Sequence, residues 1–125
     1  MNETQLGRWI EGYVRAWNSN APAEIGDLFT ADASYRTEPY AEPWHGRQAI
    51  VDGWLAHKDE PGQATFRWHP VVVSADVGVV EGRTEYRTDP PRTYRNIWII
   101  RLDQHGRCRD FTEWWMREPA TGDAA

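Results

Sequence analysis

The hydrophobic period changes once along this 125-residue chain, and that change sets the layers it can form. Before Gly62 the apolar residues recur at helical spacing; after it they alternate. Leu6, Trp9, Ile10, Tyr13, Val14 and Trp17 fall at i, i+3, i+4, i+7, i+8 and i+11, the single stripe of an amphipathic helix. Asn18-Ser19-Asn20 ends it, and Pro22 suits the first turn of a shorter helix carrying Ile25, Leu28 and Phe29. Residues 32–37 alternate weakly as a short strand, and the prolines of "EPYAEPWHG" predict a loop. "RQAIVDGWLAHK" restores helical spacing through Ile50, Val51, Trp54 and Leu55, with His57 at the rim, and stops near "DEPG". Beyond Gly62 the turn signals "SADVG", "TDPPR" and "DQHG" separate four strands at 65–74, 78–88, 92–103 and 107–117, a meander. Helices first and antiparallel strands afterwards predict an α+β fold whose sheet folds over the helices. One domain is expected over residues 1–117, with 118–125 as a flexible tail.

Composition narrows the function classes. Fourteen basic residues against 19 acidic ones, with no basic run, speak against a nucleic-acid partner. No apolar run approaches the roughly 18 residues of a membrane span, so no membrane partner is expected. The single cysteine, Cys108, and a start without the regions of a signal peptide point to the cytoplasm. No histidine shares a short-range spacing with another histidine or a cysteine, and no glycine-rich phosphate loop or serine-nucleophile motif is present. Neither a metal nor a cofactor is expected. Eight tryptophans exceed what a small core demands, which places some of them around a cavity or at an interface.

The stretch "EGRTEYR", residues 81–87, allows two readings. Its alternation puts Glu81, Arg83, Glu85 and Arg87 on one face, opposite Val80, Gly82, Thr84 and Tyr86. Facing water, the charges are solubilising residues; facing inward, they are chemistry.

The order and spacing of "YVRAWNSNAPAEIGDLFTADASY", "WHGRQAIVDGW" and "GRCRDFTEWWM" resemble the nuclear transport factor 2-like superfamily, and within it the SnoaL-like group, over residues 4–117. The resemblance implies a cone-shaped, curved antiparallel or mixed sheet wrapped against three helices. It also implies a small-molecule pocket, frequent homodimers, and members that are isomerases, cyclases, hydrolases or plain binding proteins. Compared with ketosteroid isomerase, that family's oxyanion-stabilising tyrosine falls on Tyr13. Its two aspartate positions are occupied by Thr37 and Trp98, which disfavours that reaction and returns Tyr13 to the core. Limonene-type epoxide hydrolases carry Tyr-x-Asn, Arg-x-Asp and Asp where this chain has Tyr35-Arg36-Thr37, Arg83-Thr84-Glu85 and Glu113. That likeness tips "EGRTEYR" toward charges facing inward, because Gly82 and Thr84 look too small and polar for a core face. It implies a catalytic set in which Glu113 takes a proton, Glu85 held by Arg83 supplies one, and Tyr35 with Thr37 positions the reactants.

Strand parity and helix faces assign Tyr13, Trp17, Trp54, Asn96, Trp98 and Phe111 to the ligand pocket. The expectation is a cofactor-free acid–base hydrolase, isomerase or cyclase acting on a mostly apolar molecule; the alternative is a non-catalytic ligand-binding domain. Ile97 and Ile99, on the opposite face of their strand, would join two copies as a homodimer.

Overall fold

A computed structural model describes residues 1–119. Three helices, α1 (Glu3–Ser19), α2 (Pro22–Asp27) and α3 (Arg47–Ala56), pack on a six-stranded mixed sheet. Its strands are β1 (Phe29–Arg36), β2 (Trp44–His45), β3 (Ala64–Val73), β4 (Gly78–Tyr86), β5 (Arg92–Leu102) and β6 (Cys108–Arg117). Their order is β2-β1-β6-β5-β4-β3, so the meander β3 to β6 is antiparallel and β1 joins its β6 edge in parallel.

Helix α1 starts at a reciprocal cap: the Asn2 side chain accepts from the Gln5 backbone N–H, and the Gln5 side chain accepts from that of Asn2. It ends at Asn20, whose left-handed backbone, φ 53°, suits an asparagine. The stripe read from the sequence is the buried one: Leu6, Trp9, Ile10 and Tyr13 enter a core with Ile25, Ile50, Val80, Ile100 and Phe111.

Beyond end shifts of one or two residues, two assignments differ from the sequence reading. Phe29 leaves α2 and opens β1, because its backbone pairs beside Cys108 and its side chain is fully buried. Within the expected loop, Trp44–His45 forms a short strand on β1, placed just after the last proline of that stretch. On β6, strict alternation would put Cys108 and Phe111 on opposite faces. Cys108 and Phe111 both point inward, because Leu102 pairs with Cys108 and Arg101 with Asp110, which leaves Arg109 as the extra residue of a bulge. Glu118, read as the start of the tail, donates its N–H to the Thr93 carbonyl; residues 120–125 of that tail lie outside the described residues. No helix among the described residues is long and apolar enough to cross a membrane.

Candidate functional site

Between the sheet and helices α1 and α3 lies a cavity of about 650 Å³. Its walls are aromatic, from Tyr13 and Trp17 on α1, Trp54 on α3, Tyr35 on β1 and Trp44 on β2. Strand β5 presents Tyr94 and Asn96 to it, β4 presents Thr84 and Tyr86, and β6 presents Glu113 and Trp115. Phe111 and Trp98 are fully buried behind this lining, where Phe111 stacks on Tyr13 at 5.5 Å and Phe66 stacks on Trp98 at 4.3 Å.

Glu113 is the carboxyl group at the floor. It stands directly across from Trp98 in the β5–β6 register, and its Oε2 accepts the Trp98 indole N–H at 2.6 Å. Burial pushes its pKa up to about 7, and the charge of Asp59 adds to that rise. The donors of Trp98 and Asn96 pull the other way. Such a group exchanges a proton near neutral pH. Thr84 fixes the Asn96 amide by donating its hydroxyl to Oδ1 at 2.8 Å, an orientation that turns the amide N–H₂ away from Thr84.

The hydroxyls of Tyr13 and Tyr35 share a hydrogen bond of 2.7 Å. Burial, and after it the charge of neighbouring groups that include Glu113, raises both well above the usual tyrosine value. Both rings therefore stay protonated, and one O–H of the pair is free to donate to a ligand. Asp59, in the loop after α3, accepts from the Trp17 indole at 2.8 Å and from the Tyr86 hydroxyl at 3.1 Å through the same oxygen. His57 reaches the cavity rim, stacked on Trp44 at 5.9 Å.

Most of the residues assigned from the sequence meet here. Tyr13, Trp17, Tyr35, Thr37, Trp54, Asn96 and Glu113 line the cavity, and Trp98 and Phe111 back it. Arg83 and Glu85 do not, which corrects the inward reading of "EGRTEYR". They lie on the outer sheet face, where Arg83 bonds Glu85 at 2.9 Å and Glu118 at 3.4 Å, and Glu118 also binds Arg95 at 2.7 Å. The inner face of β4 is Val80, Gly82, Thr84 and Tyr86. Its residues are small for a packing reason: a Cβ on Gly82 would overlap the Phe66 ring, which crosses over the glycine to reach Trp98, and Thr84 is satisfied by Asn96. Gaps in side-chain size on one strand are thus filled by the next.

Asp59, Tyr86, Tyr94, Trp44 and Arg92 were not foreseen in the lining. Tyr86 shares the parity of Thr84, and Tyr94 and Arg92 share that of Asn96, so these three were recoverable once the inner face was known. Asp59 had no such signal, since loop residues carry no period. Cys108 is buried and chemically quiet; burial raises its thiol to about 12.

A family model described as the SnoaL-like domain matches residues 10–123. No curated protein matches the chain significantly. Among solved structures, a ketosteroid isomerase-like protein from Erwinia carotovora atroseptica superposes with a TM-score of 0.69 at 16% identity, over 95% of this chain and 100% of its own. The epoxide hydrolase/cyclase-like enzyme SalBIII, described for pyran ring formation in the polyether salinomycin, gives 0.71 at 14% identity over 92% and 93%. A protein of cystatin-like fold from Methylobium petroleophilum gives 0.71 at 16% identity over 100% and 84%. At these identities the likenesses show a shared fold.

Proposed function

We propose, for a chain that belongs to the SnoaL-like domain family, an acid–base catalyst that moves a proton on a mostly apolar small molecule held in this cavity. The observation that carries the reading is Glu113 bonded to the Trp98 indole at the floor of an aromatic cavity that also contains the Tyr13–Tyr35 hydroxyl pair. Glu113 removes or returns the proton. The tyrosine pair donates a hydrogen bond to an oxygen that gains negative charge as the proton leaves. Asn96 lowers the pKa of Glu113 by stabilising its ionised form.

This set suits proton abstraction beside a carbonyl better than epoxide opening. Epoxide opening asks for an acid and a base held together, and the Arg83–Glu85 pair that would have supplied that arrangement lies on the other face of the sheet. Relatives in fold include one named ketosteroid isomerase-like and one named epoxide hydrolase/cyclase-like, so both reactions belong in the test. We also propose a homodimer through the outer sheet face, on which Trp114 and Met116 are exposed.

The experiment is turnover of a panel of small cyclic enones and epoxides by the native protein and by Glu113→Gln. The variant is expected to lose about a hundredfold or more in kcat on any active member while binding it nearly as well. With Glu113 as base, native kcat/KM rises with pH through an inflection near 7. Unchanged kcat in Glu113→Gln would remove Glu113 from the chemistry.

A further inference from the structure

We infer that the cavity takes a ligand whose apolar ring body carries an anionic arm, and that Arg92 reads that arm at the end of the cavity opposite Glu113. The inference rests on the small-molecule reading of the cavity given above.

Arg92, Tyr94, Asn96 and Trp98 occupy alternate positions of β5 and share its inner face, so they run in line from the start of the strand to the floor. The guanidinium reaches the Tyr94 hydroxyl, so a ligand that touches both it and Glu113 lies along Tyr94 and Asn96.

Arg92 is half-buried and held in place. Its guanidinium carbon lies 4.8 Å from the Tyr86 ring centroid and 5.8 Å from that of Tyr94, and Nη1 donates to the Tyr94 hydroxyl at 3.1 Å. Among the described residues no carboxylate comes within 4.0 Å of it, whereas Arg36, Arg83 and Arg95 are engaged by Asp110, Glu85 and Glu118. A guanidinium has five N–H donors, and the tyrosine takes one. The remainder form a pre-oriented fork suited to a carboxylate or enolate.

Four carboxylates, Glu38, Glu42, Asp59 and Glu113, also line the cavity with the cations Arg92 and Lys58, so a cationic ligand is the competing outcome. Asp59 already accepts two hydrogen bonds on one oxygen, and Glu113 accepts the Trp98 N–H. Glu38 and Glu42 are exposed, where water and salt screen them, and Lys58 adds a second cation at the rim.

The test is calorimetric titration of the native protein, Arg92→Met and Arg92→Lys with three probes of one shape: 4-(2-naphthyl)butanoate, its primary amide, and 4-(2-naphthyl)butylammonium. The native protein is expected to bind the butanoate at least about tenfold more tightly than the amide. Arg92→Met should lose that preference while still binding the amide, which also shows the variant to be folded, and Arg92→Lys should keep part of it. A butanoate no tighter than the amide, or an ammonium that binds best, overturns the role of Arg92 and leaves the cavity reading standing. Failure of all three probes to bind at millimolar concentration overturns both.

Discussion

Glu113 concentrates the chemistry of the molecule in one residue, and its proton affinity carries a consequence for stability. Its folded pKa of about 7 lies above the ordinary 4.5, chiefly through burial. Between those values the folded chain holds a proton that the unfolded chain releases, so stability falls as pH rises through that window. The loss reaches about 3 kcal/mol at most, from 1.36 kcal/mol per pKa unit. Glu113→Gln has no proton to lose and can still accept the Trp98 N–H. Urea unfolding at about pH 5 and about pH 8 should show a native midpoint that falls with pH, and a Glu113→Gln midpoint that falls less. Parallel profiles for the two proteins would mean that Glu113 titrates as an exposed carboxylate. The inward direction of this residue was legible in the parity it shares with Phe111 and Trp115. Its carboxylate neighbour, Asp59, was not, because a loop brings it to the cavity.

Strand β4 is where an element's two faces had to be told apart. Both alternate cleanly, and side-chain size pointed the wrong way: small residues looked unfit for a core. The neighbouring strand decides the matter by covering Gly82 with Phe66. Gly82→Ala should therefore destabilise the fold by about 1–3 kcal/mol through overpacking. Arg83→Ala, which removes partly exposed ion pairs and an Nε buried without a partner among the described residues, should stay within about 1 kcal/mol. Thermal or urea unfolding of the two variants side by side checks the pair. A large loss for Arg83→Ala with a small one for Gly82→Ala would reverse the two faces of β4.

At the scale of the whole molecule, no element among the described residues covers the outer sheet face. Ile97 and Ile99 on β5 lie beside Trp114 and Thr112 on β6, with Trp114 52% and Met116 77% exposed. An apolar strip of this kind on a sheet face is suited to a second copy of itself. Light scattering at about 10 μM should read twice the chain mass of 14.5 kDa, and Trp114→Glu should read the chain mass with the cavity's affinity for the naphthyl probes retained. A native monomer at that concentration would remove the dimer.

What the sequence by itself determined is the three helices, the stripes that α1 (Leu6 to Trp17) and α3 (Ile50 and Trp54) bury, and the four-strand meander. Those are local properties, because side chains on a helix or strand repeat with the backbone period. What only the tertiary structure decided is which of two well-patterned faces of β4 is inside, that β1 lies parallel to β6, and that Asp59, Arg92 and Glu113 line one cavity. These depend on what a neighbouring strand or loop places against a residue, such as Phe66 over Gly82 or Trp17 on Asp59, contacts between positions 16 and 42 residues apart in the chain.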